Sequence, residues 1–348
     1  MTAEDRLPLD DMEIMAAFAG VGSAPRLMVA VSGGPDSMAL MAALGRWRSL
    51  VSFTGRIVVA TVDHGLRAEA RQEAEMVGAE AARLGMIFHL LSWQGDKPKT
   101  GIQEAARDAR YRLLFECCRA EDIDTLLTAH TLDDQAETIL MRLARGSGIS
   151  GLRGMVASRE IGSIRLVRPL LGFAKQRLIA SCEAWAVPYV NDPSNESAAY
   201  TRVRWRKLLP VLAEEGLDAS RISAFGERLG RADDALAVMT EKAIEASRIS
   251  SGDEDIGIRF DSEKLFAEPL EIVIRAFSRM VTHIADSGQH VRLHRIEDCV
   301  AAIQTRLGTG RSLRRTLGGI MISLDRHGVL SFQPEPERRR GRYVNSTA

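Results

Sequence analysis

The six residues Ser32-Gly33-Gly34-Pro35-Asp36-Ser37 bring hydroxyls, glycines and an acid together in one short turn, the makings of a phosphate site. Glycine permits backbone angles that a Cβ disfavours, and it lets main-chain N–H groups approach a ligand closely. The preceding run Leu27-Met28-Val29-Ala30-Val31 has the continuous hydrophobicity of a strand buried on both faces. Met38-Ala39-Leu40-Met41-Ala42-Ala43-Leu44 then reads as a helix packed back on that strand. A helix starting there adds unpaired N–H groups and the positive end of its dipole. No Gly-Lys-Ser/Thr follows and the glycines do not fit G-x-G-x-x-G, so another nucleotide chemistry is implied.

A second reactive stretch is His130-Thr131-Leu132-Asp133-Asp134-Gln135-Ala136-Glu137-Thr138. Thr131 with Asp134 three residues on is a capping-box-like helix start. On that helix Asp133 and Glu137 share one face, as do Asp134 and Thr138. Acids gathered beside a phosphate site suit a cation, either Mg²⁺ on the phosphates or a cationic substrate. Asp63-His64-Gly65-Leu66-Arg67 turns off a further apolar run, where the base or ribose of a nucleotide would lie. Glu104-Ala105-Ala106-Arg107-Asp108-Ala109-Arg110-Tyr111 puts Arg107 and Tyr111 on one helical face with Arg110 beside them. An arginine aimed at the phosphates would stabilise charge developing on a leaving group.

These residues need a scaffold, and the pattern supplies one. Residues 1–24 read as one short amphipathic helix with Met12, Ile14, Met15 and Phe18 on its apolar side. Strands follow at 27–31, 56–63, 86–91 and 125–130, alternating with helices at 38–44, 68–84 and 104–121. That rhythm predicts an α/β fold with a doubly wound parallel sheet. Ligands of such sheets bind beyond the carboxyl ends of the strands, the rim on which all the reactive stretches fall. From about residue 216 the pattern turns helical, at 220–246, 271–285 and 292–304, with a polar linker at 250–255. Residues 315–322 and 328–332 read as a small terminal β-hairpin. The domains expected are a catalytic one over 1–215, a helical one over 216–335 and a disordered tail over 336–348.

Lys plus Arg and Asp plus Glu number 46 each, so net charge points to no partner class. Basic residues are nevertheless segregated: residues 302–348 carry nine Arg against Asp325, Glu335 and Glu337, and Arg202, Arg204, Arg206 and Lys207 form a second knot. A neutral average thus conceals basic faces suited to nucleic acid. Cys117, Cys118, Cys182 and Cys299 show neither metal-ligand spacing nor a disulfide framework. The N-terminus is acidic and no apolar run approaches the roughly 18–20 residues that span a bilayer. A cytoplasmic enzyme with no membrane association is the expectation.

Ser-Gly-Gly-x-Asp-Ser after a hydrophobic strand resembles the PP-loop of the ATP pyrophosphatases, which cut ATP between its α and β phosphates and activate a carbonyl as an adenylate. Six motifs in order resemble the tRNA(Ile)-lysidine synthase family more closely still. They are the PP-loop, His64-Gly65-Leu66-Arg67, Glu104 to Tyr111, His130 to Thr138, Arg168-Pro169-Leu170 and Asp192-Pro193-Ser194-Asn195. The chain departs from the family's R-N-x-x-R at Arg202-Val203-Arg204-Trp205-Arg206, where Val203 replaces an amide. The resemblance implies a Rossmann-like PP-loop domain, and a ligase that adenylates the 2-carbonyl of the wobble cytidine of the CAU anticodon of tRNA(Ile). L-lysine then displaces AMP to give lysidine.

On this reading Ser32, Gly33, Gly34, Pro35, Asp36, Ser37, Asp63 and His64 bind ATP, and Asp36 holds Mg²⁺. Asp36, Arg107, His130, Asp133 and Glu137 are the catalytic candidates. Asp133, Asp134 or Glu137 receives the lysine, with the division of roles left open, and Arg202, Arg204, Arg206 and Lys207 contact tRNA phosphates. A homodimer is compatible with the family and undecided by composition. The rival readings are a PP-loop tRNA thiolase, for which the cysteines are poorly placed, another adenylating enzyme, and a non-catalytic nucleotide or RNA module, which would have no need of these acids.

Overall fold

The computed structural model describes residues 6–65, 70–95, 97–98, 100–190, 201–249, 257–284 and 291–335. The chain divides into one unit made of Met1–Gly146 with Gly151–Glu227 and another made of Ser147–Ser150 with Arg228–Ala348. Leu66, Arg67, the Asp192 to Asn195 motif, the 250–255 linker and the tail over 336–348 lie outside the described residues.

The first half of the chain runs α1 (Asp11–Ala17), β1 (Arg26–Ala30), α2 (Pro35–Leu50), β2 (Arg56–Asp63), α3 (Ala70–Arg83), β3 (Ile87–Ser92) and α4 (Ile102–Ala120). It continues through β4 (Thr125–Leu127), α5 (Leu132–Leu143), α6 (Ile149–Leu152), β5 (Ser158–Ile161), β6 (Ile164–Val167), α7 (Lys175–Ala184) and α8 (Thr201–Glu214). Six strands form one sheet in the order β3-β2-β1-β4-β6-β5. All pairings are parallel except that of β5 with β6. The chain moves outward through β2 and β3, then returns to place β4 on the other side of β1. That reversal makes the β1/β4 boundary the topological switch point, where open α/β sheets take their ligands.

Strands β1, β2 and β4 are buried on both faces because their side chains feed two cores. Leu27, Val29, Ile57, Val59 and Leu127 join a core with α1, α2 and α7. Met28, Ala30, Val58, Ala60 and Leu126 join another with Leu114 and Cys118 of α4. Helix α2 is itself buried from Met38 to Leu44. At about 1.5–3 kcal/mol for each large apolar side chain removed from water, this packing fixes the strand ends firmly.

The amino-terminal expectation needs correction. Helix α1 stops at Ala17, a 3-10 turn follows at Ala19–Val21, and only Ile14 and Phe18 of the expected apolar side are buried. Met12 is 73% exposed and Met15 42%. With so short a helix, one turn's worth of apolar positions reaches the core. The expected strand 125–130 also ends early, at Leu127, leaving Thr128 to His130 as an extended exit from the sheet.

The second unit is described by α9 (Ala219–Ser247), which begins in the first, β7 (Ile258–Asp261), α10 (Ser262–Phe266), α11 (Leu270–Ile284), α12 (Leu293–Gln304), β8 (Leu313–Leu317), β9 (Ile320–Leu324) and β10 (Val329–Pro334). The terminal hairpin proves to be part of a four-stranded antiparallel sheet ordered β7-β10-β9-β8. Gly318 and Gly319 both have positive φ and turn the chain inside the stretch expected to be one strand. Phe277 of α11 and Phe260 and Phe332 of the sheet meet edge to face, with centroids 5.1 to 5.8 Å apart. Ile272, Val273, Ala276, Phe277, Met280 and Val281 give α11 the apolar stripe that covers the sheet.

Candidate active site

The loop after β1 is held open by glycine and closed by serine. Gly33 adopts φ +86°, in the left-handed region, and Gly34 caps α2 with no side-chain hydrogen bond. The first N–H groups of α2 are therefore not taken by a capping side chain, and Pro35 at the first turn has no N–H to leave unpaired. Ser37 ties the turn together. Its hydroxyl accepts the Ser32 N–H at 3.1 Å, donates to the Gly34 carbonyl at 3.0 Å and lies 3.3 Å from the Ser32 hydroxyl.

Asp36 sits in the first turn of α2 with its carboxylate 3.3 Å from Lys175 Nζ. Burial pushes its pKa up, Lys175 pulls it down and Asp134 pushes it up again. Its Oδ1 is buried without a hydrogen-bond partner, an acceptor available to a cation.

Helix α5 starts with the anticipated capping box, Thr131 and Asp134 each accepting the other's backbone N–H. Asp134 uses Oδ2 for this, and Asp133 uses Oδ2 to accept the N–H of Lys175 at 2.7 Å. Each thus keeps Oδ1 outside these bonds. Glu137 differs. Its side chain is fully buried and Oε1 accepts from Arg206 Nε at 2.7 Å, while Oε2 is buried without a partner. Burial pushes the Glu137 pKa up, opposed by Arg206 and more weakly by Arg202. Arg206, expected on tRNA phosphates, spends its Nε on this acid. Glu137, expected to receive the substrate lysine, already has a cation of its own.

Basic groups gather around His130. His130 Nδ1 is 3.1 Å from the Thr128 hydroxyl, and burial aided by Arg168, Arg110 and Arg107 lowers its pKa to about 4 against the pull of Asp134. The imidazole is neutral at pH 7 and able to act as a hydrogen-bond donor. Arg168 is buried, its N–H and guanidinium donating to the carbonyls of Ala157 and Val156 at 2.7 Å each. Arg107 is exposed and lies 5.3 Å over the Tyr111 ring.

At the next strand end Asp63 accepts the Gly65 N–H at 2.7 Å. His64 meets Trp93 edge to face at 5.9 Å, and its Nδ1 is buried without a partner. Burial and Arg110 lower the His64 pKa. Val203, the departure from the family pattern, is 7% exposed, an apolar residue on the buried side of α8. Arg204 and Lys207 are exposed, and Arg202 is half-buried within electrostatic reach of Glu137.

Lys175, Arg110, Arg168 and Trp93 were not among the candidate site residues. Arg110 and Arg168 lay inside quoted motifs, but nothing in the spacing said that they converge on His130. Lys175 carries no local signal, since its importance comes from α7 docking beside α5. Among the described residues no cluster of three or more His, Cys, Asp or Glu forms a ready metal cage. No helix among them is long and apolar enough to cross a membrane.

The family model described as "PP-loop domain" matches residues 11–212. The tRNA(Ile)-lysidine synthase of Methylobacterium nodulans is 44% identical over 339 residues, covering 96% of this chain and 98% of that one. That of Bradyrhizobium diazoefficiens is 40% identical over 356 residues, with 98% of each chain covered. A U34-tRNA thiolase of Methanococcus maripaludis superposes with a TM-score of 0.54 over 63% of this chain and 78% of its own, at 16% identity, a likeness of fold alone. With a PP-loop beyond β1, an acid helix beyond β4 and near full-length similarity to these enzymes, the chain belongs to the tRNA(Ile)-lysidine synthase family.

Proposed function

We propose that the protein uses ATP to join L-lysine to carbon 2 of the wobble cytidine in the CAU anticodon of tRNA(Ile), forming lysidine and releasing AMP and pyrophosphate. The observation that carries this reading is the meeting of three helix starts, those of α2, α5 and α7, beside the switch point. There Asp36, Asp133 and Asp134 stand next to an uncapped glycine loop.

A ring carbonyl is a poor electrophile without a leaving group, so its oxygen is first converted to an adenylate. The cytidine O2 attacks the α-phosphorus and the bond to the β-phosphate oxygen breaks. The N–H groups of the loop and of the first turn of α2, with Ser32 and Ser37, face the phosphates and stabilise the departing pyrophosphate. Arg107, Arg110 and Arg168 add positive field around neutral His130, which contacts the α-phosphate or the cytidine by hydrogen bonding. Asp63 and His64 lie where the nucleoside would rest. Asp36, with its unpartnered buried Oδ1, fits a Mg²⁺ ligand, and the ion when bound would neutralise phosphate charge.

The lysine ε-nitrogen then bonds to carbon 2 and the carbon–oxygen bond to AMP breaks. Only a neutral amine is nucleophilic, so a carboxylate first accepts the ammonium and then takes its proton. Asp133 and Asp134 each have Oδ1 available for this. Glu137 is held through Oε1 by Arg206. Arg202, Arg204 and Lys207, with Arg206 held on Glu137, are the candidates for tRNA phosphates.

Sulfur transfer is disfavoured by the thiols. Burial pushes Cys118 and Cys182 up to about 12, so neither offers a thiolate nucleophile at neutral pH. The test is AMP formation with purified protein, omitting ATP, lysine or the tRNA(Ile) transcript in turn. AMP that appears at full rate without tRNA, or with ammonia or sulfide as sole donor, would remove this reading.

A further inference from the structure

Lys175 stands outside the PP-loop and outside the acid helix, yet it touches both. It is the first residue of α7, whose N-cap, Ala174, contributes no side-chain cap. Its orphan N–H donates to Asp133 Oδ2 at 2.7 Å, and its Nζ reaches Asp36 Oδ2 at 3.3 Å. Beside it the Leu132 N–H donates to the Phe173 carbonyl at 2.9 Å, so two hydrogen bonds zip the starts of α5 and α7 together. Further along α7, Leu178 and Cys182 are buried in the core that holds α2, and the Cys182 thiol donates to the Pro35 carbonyl at 3.5 Å. Helix α7 is thus fastened to both neighbours with Lys175 at the junction.

An ordinary surface ion pair contributes only about 0–1 kcal/mol and fixes little. This one is half-buried, with Lys175 32% and Asp36 24% exposed, and it determines which carboxylate oxygen stays free. Asp36 Oδ2 is taken by the ammonium, and Oδ1 is the buried oxygen without a partner. The same ammonium opposes the repulsion that Asp133 and Asp134 exert on Asp36.

We propose that Lys175 is a positioning residue for nucleotide activation: its side chain orients Asp36, its backbone fixes Asp133, and together they set the spacing between the loop carboxylate and the acid helix. The inference rests on the adenylating reading above. Lys175 acts through the two acids, and its charge is required because a neutral side chain leaves Asp36 free to rotate against the neighbouring carboxylates of Asp133 and Asp134.

The test compares full-length Lys175→Met and Lys175→Arg with the unaltered protein. Methionine keeps the length and the backbone N–H, so the Asp133 contact survives while the charge is lost. Binding of ATP with Mg²⁺ is measured by calorimetry, turnover by AMP release, tRNA affinity by filter binding and folding by thermal melting. Loss of an outer partner of a metal-ligating residue, the role Asp36 takes on the adenylating reading, typically costs about 10–100-fold in affinity or activity. The expectation for Lys175→Met is therefore a fall of about that size in kcat for AMP release and weaker ATP binding, with tRNA affinity and melting unchanged. Lys175→Arg recovers most of the loss. Unchanged kcat and ATP affinity in Lys175→Met would overturn the proposal. So would an arginine variant as impaired as the methionine one with an equally lowered melting temperature, since that marks a merely structural role. If the unaltered protein makes no AMP from ATP, tRNA and lysine, the adenylating reading is the part that fails, and the calorimetric comparison still decides whether Lys175 orients Asp36.

Discussion

Removing Arg206 should destabilise the first unit in a way that grows with pH. Glu137 is fully buried, and its bond to Arg206 Nε at 2.7 Å is the ion pair that holds its charge. In Arg206→Ala the carboxylate must either stay ionised without a partner or take up a proton. The second route sets the upper limit. Protonating a carboxyl of ordinary pKa, about 4.3, costs about 3.7 kcal/mol at pH 7 and about 1 kcal/mol at pH 5, at 1.36 kcal/mol per unit. Arg206 is 40% exposed, so water softens the loss, and about 2–3 kcal/mol at pH 7 is expected.

The sign follows from linkage. A buried carboxyl whose folded pKa lies above its unfolded one binds more protons when folded. The variant's deficit is therefore small near pH 4.5 and widens as pH rises toward the new folded pKa. Thermal melting at pH 5 and pH 7 reads this directly, with about 2–4 °C lost per kcal/mol in a unit of this size. Adding Glu137→Gln should restore much of the loss at pH 7, because the buried group is then neutral. An equal deficit at both pH values, or no rescue in the double variant, would refute the assignment of Arg206 as the counter-ion of Glu137.

Further expectations concern the loop, the histidine and the basic helix. Asp36→Ala should abolish AMP formation while tRNA affinity stays within about twofold, measured by filter binding; retained turnover would exclude Asp36 from the chemistry. Gly33→Ala has room, since an added Cβ would meet nothing nearer than 3.7 Å, so its effect isolates the φ of +86°. A cost of about 1–2 kcal/mol in stability, or an equivalent loss of ATP affinity as the loop relaxes, is expected from melting and calorimetry. His130, with a folded pKa of about 4, should show no imidazole titration between pH 5.5 and 8 by NMR. Its burial also makes stability fall as pH drops from 6.5 toward 4, because the unfolded chain binds the proton first. Replacing Arg202, Arg204 and Lys207 with Ala should weaken tRNA binding and flatten its salt dependence, whereas ATP binding without tRNA is unchanged.

The strands that carry the site were legible because β1 and β2 are buried on both faces, which writes them as unbroken apolar runs. The loop at 32–37 and the cap at Thr131 were legible because both are local: glycine, proline and a Thr/Asp pair act within a few residues. Strands β5, β6 and β7 were not, since Ser158 to Ile161 and Ile258 to Asp261 are short and mixed in polarity and take their form from the neighbours they pair with. The same holds in the site. Arg206 looked like one of three solvent-facing arginines at regular spacing, and only the packing of α8 against α5 brings it to Glu137. Lys175 is invisible in the sequence for the same reason, because its partners are 42 and 139 residues away.

The central claim is tested most directly by supplying radiolabelled lysine and ATP to the protein with a tRNA(Ile) transcript bearing the CAU anticodon, then locating the label by nuclease digestion. The account predicts one label per tRNA at the wobble cytidine, formed only with ATP and matched by AMP. Label elsewhere in the tRNA, or AMP released with no lysine bound to it, would contradict the account.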